Sequence, residues 1–163
     1  MPDNVRFSQS HGIALLTVDG DWNAGFSTDS IDMARYNHCT LIIIGDTNLA
    51  GNAVITVMGG LTDAAETAAI TFGYRYAGAN VPGAGSDTYD AVLTSASLTT
   101  TATSMDLRAT VIEFDASDLV VSGVQYRWAT MVVSAAGTAG TASVLAILSE
   151  PRYEKAVMPS VTS

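Results

Sequence analysis

Acidic and amide side chains alternate in one short segment, which reads Asp-Gly-Asp-Trp-Asn-Ala-Gly from Asp19 onward. Asp19, Asp21 and Asn23 have the spacing of the first three oxygen ligands in a helix-flanked calcium loop. The glycine that such a loop requires is displaced by one residue, to Gly25, and its twelfth position is serine instead of glutamate. A turn between strands also places Asp and Gly in this way. Asp19, Asp21 and Asn23 are therefore the metal candidates, and we expect a turn without a cofactor.

Nucleophilic and acid–base chemistry has few candidate residues. Cys39 is the single cysteine, and it directly follows His38. Neighbouring side chains on a strand point to opposite faces, so these two cannot act together as nucleophile and base. Glu113 and Asp115 offer the best pair of carboxylates, but a strand end followed by a polar turn also explains them. We predict that the protein is not an enzyme, with a β-sandwich hydrolase as a rival.

Length, charge and cysteine content exclude several classes of protein. The chain has 163 residues, enough for one domain with a core, and a formal net charge of −9 from 16 Asp+Glu against 7 Lys+Arg. Such a charge repels phosphate backbones, so no nucleic-acid partner is expected. No apolar run is long enough for a membrane helix, and no secretory leader is recognisable. One cysteine excludes an intrachain disulfide, and synthesis in a cytoplasm is expected.

Strand patterns dominate the chain, whereas helix patterns are weak. Short runs of β-branched and aromatic residues are separated by loops rich in Gly, Asp and Ser. The strongest runs are residues 12–18, 38–44, 52–58, 69–76, 106–114, 124–134 and 142–148. The second and third are predicted to pair as a hairpin, and residues 5–9 are a further strand candidate. Many short strands joined by turns predict an all-β, antiparallel β-sandwich or barrel.

Three segments, taken together, resemble a known family. They are residues 31–36 (Ile-Asp-Met-Ala-Arg-Tyr) before an apolar strand, residues 69–76 (Ala-Ile-Thr-Phe-Gly-Tyr-Arg-Tyr), and residues 123–128 (Gly-Val-Gln-Tyr-Arg-Trp) before the last strands and a terminal Pro-Arg-Tyr. Their order is similar to that of the jelly-roll decoration, or cement, proteins on the outer capsid of tailed bacteriophages. The resemblance spans residues 31–153, and its motifs are loose.

The resemblance implies a non-enzymatic virion protein with a jelly-roll fold. Such a protein binds the outer surface of the shell formed by the major capsid protein, stabilises it, and is itself a homo-oligomer, either a dimer or a trimer. The family supplies no site residues. Rival functions are a tail, baseplate or head-fibre component, and a carbohydrate-binding module on the virion surface.

The expected organisation is a single β-sandwich domain, with its core over residues 12–150 and irregular arms over residues 1–11 and 151–163. Either arm is a candidate for contact with a neighbouring subunit. Trp22, in a polar turn, is expected at the surface, whereas Trp128 is expected in the core. The interface candidates are Arg6, Phe7, Trp22, Arg152 and Tyr153.

Overall fold

β-Branched and aromatic residues form short antiparallel strands throughout the computed structural model, which describes residues 7–46, 51–79, 83–101 and 105–152. The described elements are the helical turn α1 and fourteen strands. The elements are α1 (Phe7–Ser10), β1 (Gly12–Asp21), β2 (Phe26–Ser27), β3 (Ile31–Asp32), β4 (Tyr36–Gly45), β5 (Val54–Gly60), β6 (Ala68–Ala69), β7 (Phe72–Tyr76), β8 (Leu93–Ser95), β9 (Leu98–Thr99), β10 (Ala109–Asp115), β11 (Val120–Val121), β12 (Val124–Gln125), β13 (Trp128–Val133) and β14 (Thr141–Pro151).

Two main sheets form a sandwich. The first has the strand order β1-β14-β4-β10-β7-β8, and the second has β2-β13-β5-β6, with β3 also paired to β13 and β9 to β5. If β3, β6, β7 and β8 are left out, each sheet has four strands, in the orders β1-β14-β4-β10 and β2-β13-β5-β9. The chain therefore alternates between the sheets in the double Greek-key order of a jelly roll. The predicted all-β, jelly-roll sandwich is confirmed.

The core lies between the inner faces of the two sheets. β14 has strict alternation, with Ala142, Val144, Ala146 and Leu148 buried and the residues between them more exposed. This is the period-two pattern of a strand with one face on a core. Large buried residues complete the core from both sheets and from the loops. They include Tyr36, Leu41, Ile43, Ile55, Ile70, Phe72, Met105 and Ile112.

The predicted hairpin between residues 38–44 and 52–58 is wrong. β4 pairs with β14 and β10 in the first sheet, whereas β5 pairs with β13, β6 and β9 in the second. The connection between β4 and β5 therefore crosses from one sheet to the other. Local sequence shows where strands end, but pairing is decided by which strands can bury their apolar faces together.

The N-terminal arm begins, within the described part of the chain, with a helical turn instead of an irregular segment or a strand. In α1, the backbone N–H of His11 donates to the carbonyl of Phe7 over 3.0 Å, and the two rings stack at 4.1 Å. This hydrogen bond gives the backbone N–H of His11 a partner without a neighbouring strand. Over the described ranges, no helix has the length and apolar character needed to cross a membrane.

A buried carboxylate fixes β3 to the residue that precedes β13 in the second sheet. The Asp32 side chain is only 7% exposed and accepts two hydrogen bonds from Arg127, Nε to Oδ1 at 2.8 Å and Nη2 to Oδ2 at 2.6 Å. Its Oδ1 also accepts from the backbone N–H of Ala34 at 3.0 Å. The hydrogen bond from Arg127, which outweighs the opposing effect of burial, lowers the pKa of Asp32.

Acidification is expected to remove the stability that Asp32 contributes. Because its pKa is lower in the folded protein than in the unfolded chain, the contribution is complete above the unfolded value of about 4 and is lost as pH falls through the folded value. Urea unfolding between pH 7 and pH 2 measures this loss. Asp32→Asn and Arg127→Gln should both flatten the acid limb. An acid limb unchanged in both variants would contradict the assignment.

Candidate protein-binding face

The first sheet has an outer surface of apolar side chains from three neighbouring strands. Residues directly opposite each other in an antiparallel pair share a face, so the register identifies the set. Ile13 lies opposite Ile147, and Leu15 lies opposite Leu145, which in turn lies opposite Ile42. Ile44 is next but one to Ile42 on β4 and lies on the same side. We call these six residues the apolar face: Ile13, Leu15, Ile42, Ile44, Leu145 and Ile147.

The apolar face is accessible in the isolated chain. Leu15 is 60% exposed, Ile13 52% and Ile44 47%, and the remaining three residues are half-buried. A contiguous apolar surface of this kind is typical of a protein interaction site, whereas scattered single apolar residues are ordinary. The face lies on the longest strands of the structure, whose pairing with each other holds its side chains in fixed rows.

Charged residues border this face along β10 and β7. Glu113 lies opposite Thr40, and its Oε2 is 3.4 Å from Nη2 of Arg75. Nδ1 of His38 lies 2.7 Å from Oδ1 of Asp115, and its Nε2 is 3.9 Å from Oε1 of Glu113. An uncharged centre with a polar border is the usual organisation of a protein–protein interface.

A shallow polar depression of about 350 Å³ lies at the end of the sheet where β14 finishes. Arg152 lines it, and its Nε donates to Oδ1 of Asn37 over 2.8 Å. Its other lining residues are Asp115, Ala116, Ser117, Gln125 and Glu150. Phe7 is 53% exposed in α1, which lies against β1 and β14 at this same end. The structure therefore places two predicted interface residues, Phe7 and Arg152, near one end of the apolar face.

Neither tryptophan lies where the sequence predicted it. Trp22 is fully buried, not at the surface, and its ring lies 6.3 Å from that of Phe26. It follows the buried Gly20 by two residues, so it continues the inward side of β1. Trp128, predicted in the core, is half-buried, and the Arg127 guanidinium lies 5.4 Å from its ring. Trp22 can therefore serve neither as an interface residue nor as a sugar-stacking platform in this fold.

The metal candidates form a turn at the end of β1. Oδ1 of Asp21 accepts hydrogen bonds from the backbone N–H groups of Asn23, at 2.9 Å, and Ala24, at 3.4 Å. Asp19 has a left-handed backbone (φ 51°) in an irregular part of the strand. In the part of the chain that the structure describes, no three His, Cys, Asp or Glu side chains are grouped to hold a metal ion. Two further interface candidates, Arg6 and Tyr153, lie outside the described residues.

The carboxylates that sequence reasoning selected for acid–base chemistry do lie beside a histidine. Glu113 and Asp115 both approach His38, but this group lies on the open side of a sheet, where Asp115 is 58% exposed. Such an arrangement can form ion pairs and hydrogen bonds with a partner surface. The apolar face was missed at the sequence level. A signal existed in the unbroken Leu-Ile-Ile-Ile run that ends at Ile44, which is apolar on both sides of a strand.

The fold defines the class of this protein as a jelly-roll β-sandwich. Among solved structures, the SPBc2 prophage-derived protein YomS has this fold with a TM-score of 0.52 and 12% sequence identity over 85% of this chain and 91% of that one. An infectious bursal disease virus structure (Gt strain) aligns at a TM-score of 0.17 and 9% identity, over 86% of this chain and 34% of that one, which carries no structural meaning. No protein-family model and no curated protein matches the sequence.

Proposed function

We propose that this protein is a non-enzymatic structural component of a tailed-bacteriophage virion, which decorates the outer surface of the capsid and stabilises the shell. The observation that carries the proposal is the apolar face, displayed on a jelly-roll sandwich and bordered by ion-pairing residues. The fold it shares with a prophage-derived protein supports a phage origin. The major capsid protein is the proposed partner.

Burial of the apolar face against the shell supplies the binding energy in this proposal. Transfer of one exposed Ile or Leu side chain from water to an interface contributes about 1.5–3 kcal/mol. The ion-pairing border, with Arg75, Glu113 and Asp115, orients the contact more than it strengthens it. Because the protein binds assembled shells and not separate subunits, it stabilises the shell by mass action. A net charge of −9 is compatible with a site that does not touch the genome.

A charge placed on the β4 side of the apolar face is expected to weaken binding to shells. Ile44→Lys, in which the side chain to be replaced is 47% exposed, should lower the affinity about 10–100-fold, because an ammonium group must then be desolvated. Co-sedimentation of the purified protein with shells that lack it measures the affinity. Leu61→Lys is the matched control, since Leu61 is 60% exposed in the turn that follows β5 of the second sheet. Equal affinity for both variants would contradict the assigned face.

A functional test compares shells with and without the bound protein. Decorated shells should withstand a higher temperature or a stronger osmotic shock, and Ile44→Lys should not restore this resistance. Antibody labelling of intact virions distinguishes the rival positions. Label at the tail or baseplate, or shells of equal robustness with and without the protein, would overturn the capsid role.

A further inference from the structure

The outer edge of β1 carries a regular stretch of backbone with no partner strand among the described residues. Among the described residues, β1 is the terminal strand of the first sheet and has β14 as its partner strand. Beyond Leu15, the carbonyl of Leu16 accepts a hydrogen bond from the backbone N–H of Asp29 over 3.4 Å. Over Gly12–Leu15 the pairing with β14 is continuous, from Gly12 opposite Leu148 to Leu15 opposite Leu145. The register becomes irregular only between Leu15 and Gly20. The stretch can therefore accept another strand along its free side.

Charged residues, proline and bulges, which protect many edge strands, are missing from this stretch. Natural sheets protect their edges with lysine, proline, inward charges or bulges. Residues 12–18 (Gly-Ile-Ala-Leu-Leu-Thr-Val) contain no charged residue and no proline. The bulges of β1 lie beyond Leu15 and leave the preceding residues flat enough to pair. In a chain of net charge −9, an uncharged edge is also where a second copy can approach with the least repulsion.

We infer that two copies of this protein associate through antiparallel pairing of their β1 edges, with the two-fold axis at Ala14. A continuous sheet keeps the outer faces of both copies on one side, so paired residues must share a face. This condition requires that one residue lies opposite the same residue of the second copy, so the two-fold axis cannot fall between two residues. Centring on Ala14 places Ile13 opposite Leu15 of the second copy, with both residues inside the regular stretch and both on the apolar face. The two apolar faces then become one continuous surface.

The dimer extends the proposed function. Its role at a shell rests on that function, whereas the pairing itself does not. Doubling a continuous apolar face lets one dimer contact two neighbouring shell subunits. Binding by one copy then raises the effective concentration of the other. The pairing itself is a property of the free protein and can be tested without shells.

Sedimentation equilibrium of the purified protein tests the pairing. We expect the dimer mass. The dissociation constant of the dimer should fall as salt is added, because salt screens the repulsion between the acidic copies. Leu15→Lys places a charge at the paired edge and should give the monomer mass. Ile44→Lys changes the same face two strands away from the edge, and should stay dimeric. A monomeric wild type, a dimeric Leu15→Lys or a monomeric Ile44→Lys would each overturn edge pairing.

Cysteine cross-linking tests the register with variants that keep the edge apolar. Cys39 is buried, so an introduced cysteine is the only accessible thiol among the described residues. A mixture of Ile13→Cys and Leu15→Cys proteins should form a disulfide-linked dimer on mild oxidation, because the two positions face each other. Ile13→Cys alone should not, because its own copies are offset along the strands beyond disulfide reach. Linkage of Ile13→Cys alone, or none in the mixture, would overturn the axis at Ala14.

These outcomes are separable from those of the proposed function. A dimer that fails to bind any shell retains the edge pairing and removes the capsid role. A monomer that binds and stabilises shells retains the capsid role and removes the edge pairing.

Discussion

Replacement of Trp22 by alanine is expected to lower the free energy of unfolding by about 3–5 kcal/mol, the usual cost of deleting a fully buried Trp or Phe ring. The ring is completely enclosed and packs near Phe26. The backbone around it is held on both sides, because its N–H donates to the carbonyl of Gly140 and its carbonyl accepts from Ala136. Since these bonds keep the turn in place, the site cannot collapse to fill the space that the ring leaves.

Urea unfolding followed by circular dichroism measures this effect, with Trp128→Ala as the matched control. Trp128 is half-buried and its ring faces the Arg127 guanidinium, so its removal opens no enclosed cavity. The loss should therefore be clearly smaller than for Trp22. If the two variants lose equal stability, or if Trp128→Ala loses more, the burial assigned to Trp22 is wrong.

Cys39 is expected to react with a thiol reagent about 10³–10⁶-fold more slowly in the native protein than in a free peptide, the range set by the unfolded fraction of a stable domain. Its side chain is fully buried on β4, opposite Leu148 on one side and Phe114 on the other. Burial also raises the pKa of the thiol, which disfavours the reactive thiolate. Reaction therefore requires the centre of the first sheet to open.

The labelling rate under native conditions, compared with the rate in urea, measures this protection. A variant carrying Cys39→Ser and Ile13→Cys provides the control, because its single thiol lies at an exposed position. At a concentration where the protein is monomeric, this thiol should react at nearly the rate of a free thiol. Trp22→Ala should increase labelling of Cys39 about a hundredfold or more, as expected when 3–5 kcal/mol of global stability is lost. Rapid native labelling of Cys39 would show that β4 is not central.

The two predictions test different parts of the same sandwich. Trp22 closes one end of the core through the turn after β1, whereas Cys39 reports on the middle of the first sheet. The apolar face depends on both, because β1, β4 and β14 must be held in register for its six side chains to form one surface.

The capsid proposal and the edge pairing use different parts of the first sheet, its outer face and the backbone edge of β1. A small acidic protein with an uncharged sheet face gains free energy chiefly by removing that face from water. Edge pairing brings two such faces together without burying either of them. The combined surface then remains available for a shell. Variants at Leu15 and Ile44 are expected to differ in oligomeric state because Leu15 lies on the paired edge strand and Ile44 lies two strands away.

The amino-acid sequence by itself determined that the protein is built from strands. Period-two alternation and β-branched residues are local properties, and they placed the strands at residues 142–148 and 38–44 within β14 and β4. Glycine and aspartate marked the turn that ends β1 at Asp21. The jelly-roll class followed from a resemblance to a family, and the strand order of the two sheets confirmed it.

Tertiary structure alone decided which strands pair and which apolar side faces the core. In the run Ile42, Ile43, Ile44 both sides of the strand are apolar, so alternation could not show that Ile43 is buried and Ile44 exposed. Nor could the polar neighbours of Trp22 reveal that its ring points inward. Pairing and burial depend on residues distant in the chain, because an apolar side chain is buried only where another sheet covers it.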